Sequence, residues 1–158
     1  MEGARPAVQQ DAERCAELCR GATDELQAKR GGPLALRGEV RLLTEALLSA
    51  GGLATLVAGA DRRVLVGTVD DVVVGFAVGR VEEVGEKRLG VIEGCYVEPG
   101  ARGVGVGRAM LDGLLVFFRS SGCDAVDATA LPGDRGTKNF YEAAGFKARL
   151  LTLHHELS

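Results

Sequence analysis

The sequence predicts an α+β, or mixed α/β, three-layer fold, and three observations carry that expectation. Three strand-like runs follow one another, Ala54 to Thr68, Val72 to Val84 and Arg88 to Val97, with turn signals at Asp70-Asp71 and Glu83 to Lys87. Runs joined by such short turns pair as an antiparallel meander. The stretch VIEGCYVEPGARGVGVGRAML, Val91 to Leu111, then reads as a strand, a sharp turn at Pro99-Gly100, a glycine-rich loop and a helix. A further strand-like run, Asp124 to Ala130, completes a βαβ unit. An antiparallel half leading into a βαβ unit implies a central, mostly antiparallel sheet between helical layers. The 158 residues are expected to form a single domain, 1–158, long enough to bury one sizeable core.

Ala4 to Gln9 reads as a short first strand, and Asp11 to Ala28 as a helix whose stripe is Cys15, Leu18, Cys19, Ala22 and Leu26. Lys29 to Gly38 reads as a glycine-containing loop. Glu39 to Ala50 is expected to be a second helix with Val40, Leu43 and Leu47 inward, and Gly59 to Arg63 a turn within the first strand-like run. Beyond the glycine loop, Leu111, Leu114, Leu115 and Phe118 recur at helical spacing. Asp134 is a good N-cap and Gly145 a good C′ residue for a short helix over Asp134 to Ala144, with Phe140 and Ala144 on one face. Phe146 to Leu157 reads as a last strand, with His154 and His155 pointing to opposite faces.

Composition narrows the function classes. The formal charge is −3 and the isoelectric point near 5.5, which weighs against nucleic acid or an anionic membrane as a partner and suits an amine substrate. No apolar run approaches the ~20 residues of a membrane span, and the N-terminus, with Glu2, Arg5 and Asp11, lacks a signal-peptide pattern. Cys15 and Cys19 read as small core residues, and Cys95 and Cys123 fall in expected strands. They form no disulfide framework, which points to a cytoplasmic location. The two histidines lie far from these cysteines, so no metal site is expected.

The glycine loop carries the chemistry. Gly103, Gly105 and Gly107 leave peptides without a Cβ above them, so an anion can approach their N–H groups. A helix start aims unpaired N–H groups and the positive end of its dipole at the same place, and Arg102 adds a charge at the mouth. A Walker-type loop requires Lys followed by Ser or Thr, where this chain has Arg108-Ala109. A dinucleotide fingerprint requires a third glycine where Met110 stands. The remaining pattern is Arg-x-x-Gly-x-Gly opening a helix, carried by Arg102, Gly105 and Gly107; a plain glycine-rich surface loop is the bland competitor.

That pattern, with the downstream run Asn139-Phe140-Tyr141-Glu142-Ala143-Ala144-Gly145-Phe146, resembles the two signatures of the GNAT superfamily of acyl-CoA-dependent N-acetyltransferases. The resemblance spans about Lys87 to Phe146. It implies a three-layer fold with a splayed parallel strand pair and about four flanking helices. It also implies acetyl-CoA as acyl donor, held by Tyr96, Val97, Arg102, Gly103, Val104, Gly105, Val106, Gly107, Arg108, Asp134 and Asn139. Two departures stand out. Asp134 occupies a place where the family often has asparagine, and the chain after Gly145 suffices for one strand where members commonly have two. A long unpaired strand bearing four leucines is an association liability, so a homodimer is expected.

Acyl transfer to an amine requires a neutral nucleophile, a polarised thioester carbonyl and a proton for the departing thiolate. An aliphatic ammonium has a pKa of about 10, so a base must deprotonate it. Glu93 is an acid within an otherwise apolar strand, and the resemblance implies that it is this base. It likewise implies Tyr141 as the acid that protonates the thiolate, with a backbone N–H near Tyr96 or Val97 polarising the carbonyl. Strand alternation places Glu93 and Cys95 on one face and Ile92, Gly94 and Tyr96 on the other, unless a bulge intervenes. The expected activity is therefore N-acetylation of a small-molecule or peptide amine. The alternatives are a protein N-terminal or lysine acetyltransferase, and a non-catalytic acyl-CoA-binding regulatory domain.

Overall fold

A computed structural model describes residues 1–157 and arranges them around one five-stranded sheet. The strands are β1 (Glu2–Pro6), β2 (Arg62–Val69), β3 (Val72–Val84), β4 (Lys87–Val97) and β5 (Ala125–Ala128), in the spatial order β1-β2-β3-β4-β5. The first four pair antiparallel, and β5 lies parallel to β4. The helices are α1 (Ala12–Gln27), α2 (Gly32–Arg37), α3 (Arg41–Leu48), α4 (Gly52–Ala58), α5 (Val106–Ser120) and α6 (Arg135–Ala143).

The sheet separates two apolar cores. On one face Cys15, Leu18 and Cys19 of α1, Leu43 and Leu47 of α3, and Leu53 and Leu56 of α4 meet Val64, Val66, Phe76 and Val78. On the other, Met110, Leu111, Leu114 and Phe118 of α5 and Tyr141 of α6 meet Leu65, Ala77 and Ile92. Val64, Leu65 and Val66 thus alternate between cores, as do Phe76, Ala77 and Val78, which is the strand period of two. Both faces of β2 and β3 are covered, hence their near-continuous apolar runs.

Six helices among the described residues exceed the expected four, and two local readings account for the excess. Lys29 to Gly38 contains α2, started by Pro33 in its first turn, a position where the missing N–H costs nothing. The expected strand over Ala54 to Ala58 is α4, reached through Gly51 in the left-handed region. Leu53 and Leu56, three apart, are its buried residues, which is helical spacing in a run too short to announce its period. Cys123 lies in the turn after α5 rather than in a strand.

The expected last strand is also absent. Residues 146–157 run without regular structure, with Leu150, Leu151, Leu153 and Leu157 at 73, 79, 92 and 92% exposure. β5 has four residues, so it offers little edge to pair with. The tail is tied to it by Arg149, whose Nε donates to Asp127 Oδ1 at 2.8 Å and Oδ2 at 3.0 Å. The β5 edge is left open, and His154 and His155 lie on this exposed segment.

At the other end, Asp11 locks the entry into α1. It is 6% exposed, accepts from Arg5 Nη1 and Nη2 at 2.8 and 2.9 Å, and accepts the Val8 N–H at 2.8 Å. The Arg5 guanidinium beside it holds its carboxyl below the ordinary range, against the opposing effect of burial.

Candidate active site

The site is built around the point where two strands part. β4 and β5 pair from Leu89↔Ala125 to Ile92↔Ala128, after which β5 ends and β4 continues to Val97. A gap therefore opens alongside Glu93 to Val97. The register against β3 jumps there too, from Val78↔Gly94 to Gly79↔Ile92, so Glu93 is the extra residue of a β-bulge. The bulge overrides strict alternation. Ile92 and Cys95 face the α5 core, Tyr96 faces the α1 core, and Glu93 and Cys95 lie on opposite faces.

Glu93 shares the α1 face with Arg62 and Arg80. Its Oε1 accepts from Arg62 Nε at 2.9 Å and lies 3.9 Å from Arg80 Nε, while its Oε2 accepts no hydrogen bond among the described residues. Both arginines were invisible as site residues in the sequence, because nothing but its place two positions from a core valine, Arg62 before Val64 and Arg80 after Val78, distinguishes each on its own strand. The opposite face carries Tyr141, packed between the rings of Phe140 and Phe146 at centroid distances of 5.1 and 5.2 Å. Its hydroxyl has no hydrogen-bond partner among the described residues, yet it is not sealed from solvent. Burial, then the neighbouring Cys95, pushes the phenol well above its usual range. Burial likewise pushes the half-buried Cys95 thiol up to about 12.

The glycine loop ends on Gly105, the N-cap of α5, at φ +95° with no side chain capping it. The first-turn N–H groups of α5 thus have no side-chain acceptor and point out of the loop. Gly103, at φ +86°, has open space where a Cβ would be. Gly107 serves differently: a Cβ there lies 3.1 Å from Phe140 Cε1, so this glycine permits α5 and α6 to approach. Val106 is fully buried and anchors the loop, Val104 is exposed, and Arg108 pairs with Asp112 along α5 at 2.9 Å. A charged mouth, a left-handed glycine and an uncapped helix start together fit the diphosphate of an acyl-CoA.

Arg102 is held by three groups. Its Nε donates to Val97 O at 2.7 Å, its Nη2 to Glu25 Oε2 at 2.6 Å, and its guanidinium lies 5.5 Å from the Tyr96 ring centroid. Asp134 caps α6 by accepting Thr137 N–H at 3.2 Å, and its Oδ2 pairs with Lys29 Nζ at 2.8 Å. Burial raises the Asp134 carboxyl, but Lys29 and Thr137 outweigh it and the net shift is downward. Asn139 is exposed and makes no hydrogen bond among the described residues. Sequence reading missed Glu25 and Lys29, which look like an ordinary solvated i,i+4 pair. Among the described residues no group of three His, Cys, Asp or Glu side chains gathers as a metal site, and no single helix is long and apolar enough to cross a membrane.

A model of the acetyltransferase (GNAT) family matches residues 39–146, well over half the sequence, and the chain belongs to this family. Among curated proteins, none matches. Solved structures match nearly end to end. A Trypanosoma brucei acetyltransferase aligns at TM-score 0.70 and 23% identity, covering 99% of this chain and 100% of that one. The aminoglycoside N-acetyltransferase AAC(6')-Iy in complex with CoA aligns at 0.73 and 16%, covering 100% and 96%. A transcriptional regulator from Bacillus halodurans aligns at 0.71 and 19%, covering 99% and 100%. At these identities the likeness is one of fold.

Proposed function

We propose that the protein is an N-acetyltransferase that moves an acetyl group from acetyl-CoA to a primary amine by direct attack in a ternary complex. The observation that carries this reading is the β4–β5 gap, with an uncapped helix start beside it and an acid on each face, Glu93 on one and Tyr141 on the other. The acyl donor lays its diphosphate on the Gly103 to Arg108 backbone and its thioester in the gap. Glu93 accepts a proton from the ammonium through its unpartnered Oε2, directly or by way of water. The freed nitrogen attacks the carbonyl carbon and forms the C–N bond, while a backbone N–H near Tyr96 or Val97 receives the developing oxyanion. Collapse breaks the C–S bond, and the Tyr141 hydroxyl gives its proton to the departing sulfur. The nitrogen of the tetrahedral intermediate gives its second proton to water, the Glu93 proton leaves to solvent and Tyr141 is reprotonated from solvent, so an amide, the free CoA thiol and one net proton are the products. The raised Tyr141 phenol stays protonated at neutral pH, as a proton donor must.

The aminoglycoside acetyltransferase of matching fold supports a small polyamine-like acceptor. Four free cysteines support the cytoplasm, and the exposed leucines of the C-terminal segment, Leu150, Leu151, Leu153 and Leu157, support a homodimer. The test is thiol release from acetyl-CoA by the full chain against aminoglycosides, polyamines, amino acids and free-amino peptides. At least one small amine is expected to stimulate release. Glu93→Gln is expected to slow it most near neutral pH, with the deficit shrinking towards the amine's own pKa. Acetyl-CoA binding without any amine-dependent thiol release overturns the catalytic reading in favour of an acyl-CoA-binding domain.

A further inference from the structure

The end of α1 reaches two charged side chains to the two elements that carry the family signatures. Glu25 pairs with Arg102 of the glycine loop at 2.6 Å, and Lys29, four residues on, pairs with the α6 cap Asp134 at 2.8 Å. α1 packs on one face of the sheet, whereas α5, which the loop opens, and α6 pack on the other. The two ion pairs therefore tie the faces together at the gap. Tyr96 completes the arrangement. Its hydroxyl stands 2.8 Å from where a Cβ on Gly21 would be, so only a glycine one turn before Glu25 lets α1 come this close.

We infer that Glu25 and Lys29 form an electrostatic latch on the cofactor cleft, in which the Glu25 carboxylate holds the Arg102 guanidinium that the cofactor's phosphates take on binding. This rests on the reading of the glycine loop as an acyl-CoA cradle. Arg102 spends Nε on Val97 O and one Nη2 hydrogen on Glu25, so its side-on fork is occupied and a phosphate that takes the remaining Nη1 and Nη2 donors competes with the Glu25 carboxylate for the same charge. Glu25 is only 33% exposed at its side chain, and Arg102 holds its carboxyl below the ordinary range, so the charge is present throughout the neutral range. A single weak anion does not compensate for opening such a latch; a diphosphate with several oxygens does. The latch thereby favours acyl-CoA over inorganic phosphate.

Calorimetric titration of CoA into the full-length wild type, Glu25→Gln, Arg102→Gln and Glu17→Gln tests this. Glu17→Gln makes the same charge change on the same helix, at a residue paired with Arg14 rather than Arg102. The expected result is about fivefold tighter CoA binding by Glu25→Gln, the factor of a half-exposed ion pair. Glu17→Gln should bind like the wild type, and Arg102→Gln more weakly. Glu25→Ala provides a second variant, and thermal unfolding verifies that each is folded. Hydrogen exchange should also show the amides of residues 25–29 exchanging faster once CoA is bound. Unchanged or weaker binding by both Glu25 variants, with Arg102→Gln impaired, overturns the latch and leaves the cradle standing. Equal tightening by Glu17→Gln reduces the effect to net charge and overturns it as well. Wild-type affinity in Arg102→Gln, or no CoA binding by any variant, removes cradle and latch together.

Discussion

The two faces of the sheet are built on different terms. On the α5–α6 face a 15-residue helix buries Met110, Leu111, Leu114 and Phe118 almost completely against the strands. On the α1–α4 face, α2, α3 and α4 have 6, 8 and 7 residues and leave Leu34, Leu42, Leu48 and Val57 at 54, 70, 43 and 44% exposure. Helices that short do not hold themselves in water and depend on tertiary contacts. The face proposed to frame the cofactor is therefore the more completely packed one, and the face next to Glu93 is the one with apolar surface to spare. That division suits an enzyme in which the donor is invariant and the acceptor is what a given sequence selects.

The largest effect should come from breaking the more completely packed face. Gly107→Val drives a branched side chain into the Phe140 ring, already 3.1 Å from the position of a Cβ. Overpacking of that kind costs about 1–3 kcal/mol, and the displaced α5 start should lose measurable acetyl-CoA affinity; calorimetry and a melting curve read both. A folded variant with wild-type affinity would show that α5 and α6 need not be in close contact. Next in size is Tyr141→Phe, expected to lower turnover by about 10²-fold with acetyl-CoA affinity retained. Because burial raises the Tyr141 phenol, the wild-type rate should show no alkaline decline at the ordinary tyrosine pKa of about 10. A decline there, or an equal loss of affinity, would make the tyrosine a packing group.

The smallest effect belongs to the α1 face and is one of stability. Asp11→Asn removes the ion pair with Arg5 and is expected to cost about 1–2 kcal/mol in denaturant unfolding. The Asp11 carboxyl lies below its ordinary value in the folded chain. Its contribution is thus full above the unfolded pKa and is lost as the pH falls through the lower, folded one. The wild type and Asp11→Asn should consequently converge in stability in acid. A gap that persists there would assign the loss to packing rather than charge.

What the linear chain determined is whatever is encoded locally and at length. The glycine loop, the 3.6-residue period of α5, the Asp134 cap and the meander of β3 and β4 each declare themselves within a few turns or one strand, and the two signature runs identified the family. Short apolar runs did not declare themselves: α4 reads equally well as a strand, because seven residues hold too little of either period. Residues 146–157 have strand composition but find no edge long enough to pair with, since β5 stops at Ala128. Only the tertiary structure decided the details on which the chemistry turns. The bulge at Glu93 exists because β3 and β4 fall out of register there, and it alone separates Glu93 from Cys95. The arginines around Glu93 come from β2 and β3, and the partner of Arg102 from a helix 77 residues earlier. Charges that distant in sequence acquire meaning only when folding removes the water between them.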